Sequence, residues 1–295
     1  MNTFYFGQAL NLASLYMIAG TGAAFSIKSG NLNFGGEGQI YLGGFICAIF
    51  LSKAQTLPAA VAIPLSLILA FSASGLISLI SGLLKYYKNA DFLFTSFLAS
   101  SAIIPIIDGL ITGPFRSKTD NLLATPFIAE NFRFASILKP SSLNASFFIA
   151  MILCTFFFIL IYKTAYGRKL TIYGISPRFA EFSLYNNSNF VFTSAFVSGG
   201  MHGLCGAFSI VGTYFTCHNG FYSGIGWSSF STALLANANP LLMIPSSIFL
   251  GFVTTFSNKY AMYHNFGFDM SSLIQSVILI VISFTLYRQE EQHHD

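Results

Sequence analysis

Asn31-Leu-Asn-Phe-Gly-Gly-Glu-Gly-Gln39 holds three glycines, three side-chain amides and one carboxylate in nine residues. It runs directly into the apolar stretch Ile40 to Leu51. A carboxylate at the mouth of a membrane helix is costly unless it has a partner, water or a purpose. Gly35, Gly36 and Gly38 allow backbone to approach backbone, or break a helix where a path must pass. The chemistry open to such a stretch is binding and positioning, not bond-making. Asn33, Glu37, Gln39 and, later in the chain, Asn237 and Asn239 are the polar candidates for a substrate path. The competing reading is a Gly-rich turn with a solvated Glu at the membrane surface.

No other constellation argues for catalysis or metal binding. Cys47, Cys154, Cys205 and Cys217 are scattered, three of them within apolar segments, and match no metal or redox spacing. They read as small packing residues. The five His, two of them the tail pair His293 and His294, fit no ligand pattern. There is no Gly-x-x-x-x-Gly-Lys-Ser/Thr loop, so the chain is not expected to hydrolyse ATP by that machinery. Neither a Ser/His/Asp motif nor His-Glu-x-x-His is present.

The elements that must position these residues are membrane helices. The chain is 54% hydrophobic and 8% charged, with 34 Phe in 295 residues, whereas a soluble domain carries about 25% charged residues. One integral membrane domain, 1–295, is expected. A helix of about 20 apolar residues crosses a bilayer. Leu10–Ile27, Asn31–Leu51, Leu57–Leu84, Asp91–Gly113, Leu143–Tyr162, Asn189–Val211, Leu241–Phe256 and Ser271–Tyr287 give eight predicted helices. Tyr222–Ala236 is short and holds Gly224, Gly226 and Trp227, so it is either a ninth or a re-entrant half-helix. The first apolar segment is expected to be retained, since Met1 to Gln8 has no basic residue and no cleavage site follows.

With the N-terminus outside, Lys28, Lys85, Lys88, Lys163, Arg168, Lys169 and Arg178 fall inside. Lys53, Arg116, Lys118, Arg133 and Lys139 fall outside. The bias follows the positive-inside rule but is small. If Tyr222–Ala236 spans, Arg288 and the tail are also inside. The longest polar stretches are an outer loop, about 114–142, and an inner loop, about 164–188. In the inner loop Pro177 suits the first turn of a helix and Ser176 can cap it. Arg178 to Tyr185 then form two short turns. Gly199, Gly203 and Gly206 make a small-residue helix face suited to backbone-to-backbone packing, within the chain or against a second subunit.

The wording of these stretches carries a resemblance. Asn33-Phe-Gly-Gly-Glu-Gly-Gln39 closely resembles the Asn-x-Gly-x-Glu-Gly-Gln signature of bacterial ABC importer permeases for nucleosides, riboflavin and simple sugars, of the branched-chain amino acid type. Gly113-Pro-Phe-Arg-Ser-Lys118 is similar to their outer loop. Gly167-Arg-Lys-Leu-Thr-Ile-Tyr-Gly174 with Ser176-Pro177 and Ala180 resembles their cytoplasmic coupling loop. Ser198-Gly199-Gly200 with Gly203 to Gly206, and Gly224-Ile-Gly-Trp-Ser-Ser-Phe-Ser with Asn239-Pro240, resemble two later segments. The five occur in the family's order, from Gly22 to Gly251.

The resemblance implies an all-α polytopic permease subunit of an importer in a bacterial cytoplasmic (inner) membrane. Its partners would be a second homologous permease, an ATPase that binds ATP and Mg, and an extracytoplasmic binding protein or lipoprotein. The chain itself would need no cofactor, and no nucleic acid is implied. Gly167, Arg168, Gly174, Pro177, Arg178, Ala180 and Glu181 would couple it to the ATPase. The substrate would be a nucleoside or riboflavin, with simple sugars as the alternative. Of the family's Asn-Glu-Val the Asn is kept as Asn89, but the Glu position is Ala90, with Asp91 beside it, and the later Asn position is Leu98, which fits half of an unequal pair. A secondary transporter working alone would need buried relays, for which only Asp108 and His202 qualify. The sequence displays no inverted repeat with paired broken helices. A membrane enzyme has least support.

Overall fold

The computed structural model describes residues 3–118, 122–265, 272–277 and 280. Among these the chain is helix and loop, with one isolated antiparallel bridge between Ala124 and His218. The helices are α1 (Thr3–Lys28), α2 (Gly36–Lys53), α3 (Ala59–Lys88), α4 (Phe92–Thr112), α5 (Ser146–Phe158), α6 (Ala165–Ile175), α7 (Pro177–Phe182), α8 (Asn187–Ser209), α9 (Ile225–Leu235) and α10 (Met243–Tyr263). α5 and α8 continue through π-helical turns to Lys163 and Tyr214. Five of these, α1, α3, α4 and the extended α5 and α8, are long and apolar enough to cross a membrane. The predicted spans up to Phe256 each find a helix. Of the predicted Ser271–Tyr287 helix, 272–277 and 280 are helical. Its remainder, Arg288, His293 and His294 lie outside the described residues.

α8 is the hub of the bundle, and its small residues explain why. A methyl group placed on Gly199 would lie 2.4 Å from Ser78 Cβ, and one on Gly203 2.3 Å from Ser74 Oγ. One on Gly206 would lie 1.9 Å from the carbonyl oxygen of Ile40. The three glycines therefore seat α8 against α3 and α2 inside the chain, which is the intramolecular use of that face. Van der Waals packing of this kind replaces the hydrophobic drive that lipid cannot supply. All four cysteines are buried and unpaired.

The basic residues sort to two ends. Lys28 lies over the Tyr162 ring, Lys169 over Tyr185, and Gly30 packs on Gly174, which gathers the first group around α6 and α7. Lys53 lies over Phe115, and Lys259 over Tyr5, at the opposite end.

The inner loop is more ordered than its sequence reading. α6 is a helix where a loop is expected, capped by Thr164, whose Oγ1 accepts from Gly167 N at 3.1 Å. Ser176 caps α7 as expected, accepting from Phe179 N at 3.3 Å. Gly167 fits against the carbonyls of Leu160 and Ile161, which fixes α6 on the end of α5.

Candidate functional site

Two helices start inside the bundle and face each other. α2 begins at Gly36 after the irregular run 31–35, and α9 begins at Ile225 after the irregular run 215–224. Their first turns touch: a methyl on Gly226 would lie 2.7 Å from Glu37 N, and one on Gly36 3.3 Å from Gly226 Cα. Only glycine permits that approach. From this junction α2 runs toward Lys53 and Phe115, and α9 toward the level of Gly20 in α1, where Ser229 O and Met243 pack. α10 then returns, with Gly251 against Ala9 and Ala13. α9 has 11 residues, about 16 Å, half of a ~30 Å hydrocarbon core. It is thus a half-helix, and 215–224 supplies the other part of the traverse.

The pairs α1–α2 and α8–α9 run in opposite directions, since Leu15 of α1 meets Cys205 of α8 while Gly22 meets Met201. α2 and α9 each begin after an irregular run that follows one of these two antiparallel helices.

Each break has its own support. Asn33 Oδ1 accepts from Gly35 N at 2.9 Å. Ser96 and Ser100 of α4 accept from Phe34 N and Gly38 N at 3.0 and 2.7 Å. Those donors would otherwise be orphaned at a helix start. Behind them lies a buried polar knot. Asn33 and Gln39 bond one another, Asn33 Nδ2 also reaches Ser198 Oγ at 2.9 Å, and His202 Nδ1 sits 2.9 Å from Gln39 Oε1. The other break is braced by the outer loop. Thr125 N and Ile128 N donate to Cys217 O and Phe215 O at 3.0 and 2.9 Å, and Asn219 N donates to Leu123 O at 3.0 Å.

Glu37 joins the two half-helices. Its Oε1 accepts from Trp227 N at 3.1 Å, and its Oε2 is buried without a partner among the described residues. Two helix N-termini converge here, and each favours negative charge. Beside the junction an open groove of about 270 Å³ runs between α2, α4 and α9. Phe34, Phe97, Tyr222 and Trp227 supply its aromatic walls; Glu37, Ser100, Ser101 and Ser223 supply its polar points. Phe34 meets Trp227 edge-on with ring centroids 5.5 Å apart. At the outer rim Asp108 Oδ1 accepts from Tyr41 OH at 2.6 Å and from Asn219 Nδ2 at 2.9 Å. Tyr41 in turn packs on Tyr222 at 4.5 Å.

The candidates from sequence do not all meet at this groove. Glu37 lines it. Asn33 and Gln39 are buried behind it, at 2% and 1% exposure, with their amides engaged in the knot. Asn237 and Asn239 lie at the far end of α9, where Asn239 Oδ1 accepts from Leu241 N and shapes the turn into α10. Phe34, Phe97, Tyr222, Ser100, Ser101 and Asp108 join the site only through the fold. The Gly224-x-Gly226-Trp227 spacing was the available signal for the second break.

The α6–α7 end presents a different surface. Arg168, Arg178 and Glu181 are exposed, while Ala180 is buried under them. Ile175, Phe179, Phe182 and Leu184 are exposed apolar residues around α7, Phe182 at 88% and Leu184 at 93%. Asp91 caps α4 by accepting from Leu93 N at 2.8 Å. Leu98 is exposed on α4.

Residues 5–283 match the family described as branched-chain amino acid transport system / permease component. A probable riboflavin import permease protein, RfuC, of Treponema pallidum (strain Nichols) is 29% identical over 95% of this chain and 74% of its own length. Two guanosine ABC transporter permease proteins of Bacillus subtilis (strain 168) are similar. NupP is 26% identical over 84% of this chain and 72% of its own length, and NupQ 28% over 83% and 79%. No solved structure matches the chain.

Proposed function

The chain belongs to the branched-chain amino acid transport system / permease component family, and from that premise we propose that it forms half of the translocation pathway for riboflavin or a nucleoside. It is a multi-pass, all-α membrane protein and a transport subunit of an ABC importer. The observation that carries the substrate class is the groove at the α2–α9 junction. Its four aromatic side chains suit a flat heterocycle, since such rings stack or meet edge-on. Its hydroxyls and the Glu37 carboxyl suit the polar groups of a ribose or ribityl chain. Riboflavin and guanosine, which appear in the names of its relatives, share that make-up. A simple sugar would leave the aromatic walls without a planar partner.

A groove open along one side calls for a facing wall, and a second permease subunit supplies it in this proposal. Ala90 and Leu98, at positions where the family carries polar residues, support an unequal pair. So does the likeness to two different guanosine permeases from one organism. The exposed apolar cluster of Ile175, Phe179, Phe182 and Leu184 supports docking of an ATPase at α6–α7, because exposed apolar patches mark interaction surfaces. ATP and Mg belong to that ATPase. An extracytoplasmic binding protein delivers the solute, and the assembly sits in the bacterial cytoplasmic membrane.

The test is reconstitution. The chain, its partner permease, the ATPase and the binding protein in liposomes should take up riboflavin or guanosine with ATP, and the chain alone should take up neither. Uptake by the single chain without ATP overturns the proposal.

A further inference from the structure

A second pocket, of about 310 Å³, opens at the end of the bundle opposite α6 and α7. It lies between the start of α1, the end of α10 and the π-helical end of α8. It shares no lining residue with the groove. Lys259 stands at its mouth with Nζ 4.4 Å over the Tyr5 ring, and both residues line it. A ring holds one side of an ammonium and leaves its other N–H bonds to donate elsewhere. None of the described carboxylates lines the pocket. Beside Lys259, the exposed Asn258 makes no hydrogen bond among the described residues. Gln8 accepts from Ser142 through Oε1, and its Nε2 has no acceptor among them.

The pocket changes character with depth. Its floor is Asn11, 4% exposed and fixed on both sides. Asn11 Nδ2 donates to Thr213 Oγ1 at 3.0 Å, and its Oδ1 accepts from Asn144 Nδ2 at 3.1 Å. Thr213 thus keeps its own hydroxyl proton to donate into the pocket. Leu12 and Leu15 add an apolar wall. From Gln8 to Leu15 the pocket follows α1 for about 10 Å. Around the mouth α10 exposes Tyr260, Met262 and Tyr263, the last at 82%. Exposed Tyr at the end of a membrane helix marks the level of the membrane–water interface. A cation and two amides at that level, above a hydroxyl and an apolar wall, match a phospholipid read from its phosphodiester down to its esters and acyl chain. A small inorganic anion would meet Lys259 and leave the leucines without a partner.

We propose that this pocket holds the head of one anionic phospholipid, with its phosphodiester at Lys259, Asn258 and Gln8 and a glycerol ester carbonyl at Thr213. The proposal is independent of the reading of the groove. Basic pockets between membrane helices bind anionic head groups in this way. A zwitterionic lipid brings its own ammonium to Lys259, and like charges set side by side discriminate against it. Bound there, the lipid touches α1, α8 and α10 together and closes the gap between them at this end.

Native mass spectrometry of the delipidated permease, purified with its partner subunits, tests the site. The probes are dioleoylphosphatidylglycerol and dioleoylphosphatidylcholine. Phosphatidylglycerol should bind at least about fivefold more tightly than phosphatidylcholine, at a site that Lys259→Gln removes. Lys259 is exposed, so the substitution leaves the packed interior alone. Lys53→Gln removes a charge from the same end but outside the pocket, and should leave the site intact. Glycerophosphoglycerol, the same head without its chains, should not compete. Equal binding of the two lipids by the wild type overturns the proposal, and so does a preference that survives Lys259→Gln. Equal losses in Lys259→Gln and Lys53→Gln overturn it in favour of general surface charge. Competition by glycerophosphoglycerol makes the pocket a site for a free anion and overturns the lipid assignment.

Discussion

Trp227 N–H donates to Glu37 Oε1 at 3.1 Å across 190 residues of sequence. That bond ties the start of one half-helix to the start of another. Through it the two broken elements share a fixed spacing at the wall of the groove. Charge-assisted hydrogen bonds are stronger than neutral ones.

Replacing Glu37 separates its roles. Glu37→Gln keeps an acceptor for Trp227 N–H, whereas Glu37→Ala leaves that donor bare, at a cost of about 1–3 kcal/mol. Complex yield should therefore fall more for Ala than for Gln, and ATP-driven uptake should fall in both. Side-by-side measurement of yield and uptake checks this. Wild-type values for both variants would mean that Glu37 is only a solvated turn residue.

Gly206→Ala puts a methyl group 1.9 Å from the Ile40 carbonyl oxygen, which is backbone and cannot swing aside. Overpacking of this kind costs about 1–3 kcal/mol. The apparent melting temperature of the purified protein should drop by several degrees. Gly109→Ala is the control, since nothing lies within 4 Å of its added methyl. Equal melting of the two variants would contradict the packing described for α8.

Asp108 holds the rim by accepting from Tyr41 and Asn219. Hydrogen bonds to charged groups contribute about 1.5–3 kcal/mol. Asp108→Ala should release 219–224 and raise its hydrogen exchange at least tenfold, while Asp108→Asn, which keeps an acceptor, should raise it less. Unchanged protection in Asp108→Ala would show that the outer-loop bonds hold the segment by themselves.

Cysteines at Arg178 and Glu181 should crosslink to the ATPase and resist an impermeant reagent applied outside the cell. Labelling of either from outside would reverse the proposed orientation as well as the docking site.

Much of this arrangement is legible in the sequence. Glycine spacing announces α8's packing face and the break before α2, because a missing side chain is visible in a sequence. Pro177 after Ser176 announces α7 for the same kind of local reason. What is not legible depends on distant pairing. Asn33 and Gln39 look like path residues, because a polar side chain in an apolar run gives no sign of which way it faces; His202, Ser78 and Ser198 turn them inward. Asn237 and Asn239 sit close to the Gly-Trp break in sequence, yet the length of α9 carries them away from the groove. Tyr41 and Asp108 are 67 residues apart and belong to no motif, so only the fold brings them together.

The knot around Asn33 has a consequence for how the chain enters the membrane. Gln39 and His202 are separated by 163 residues. At synthesis rates of about 5–20 residues per second, α8 follows α2 by roughly 10–30 s. During that interval the amides of the 31–39 segment are in place and their imidazole and serine partners are still to be made. The reciprocal bonds between Asn33 and Gln39, at 3.0 and 3.2 Å, need nothing beyond the segment itself. They let a newly inserted hairpin carry two amides at low cost until α8 arrives and completes the set.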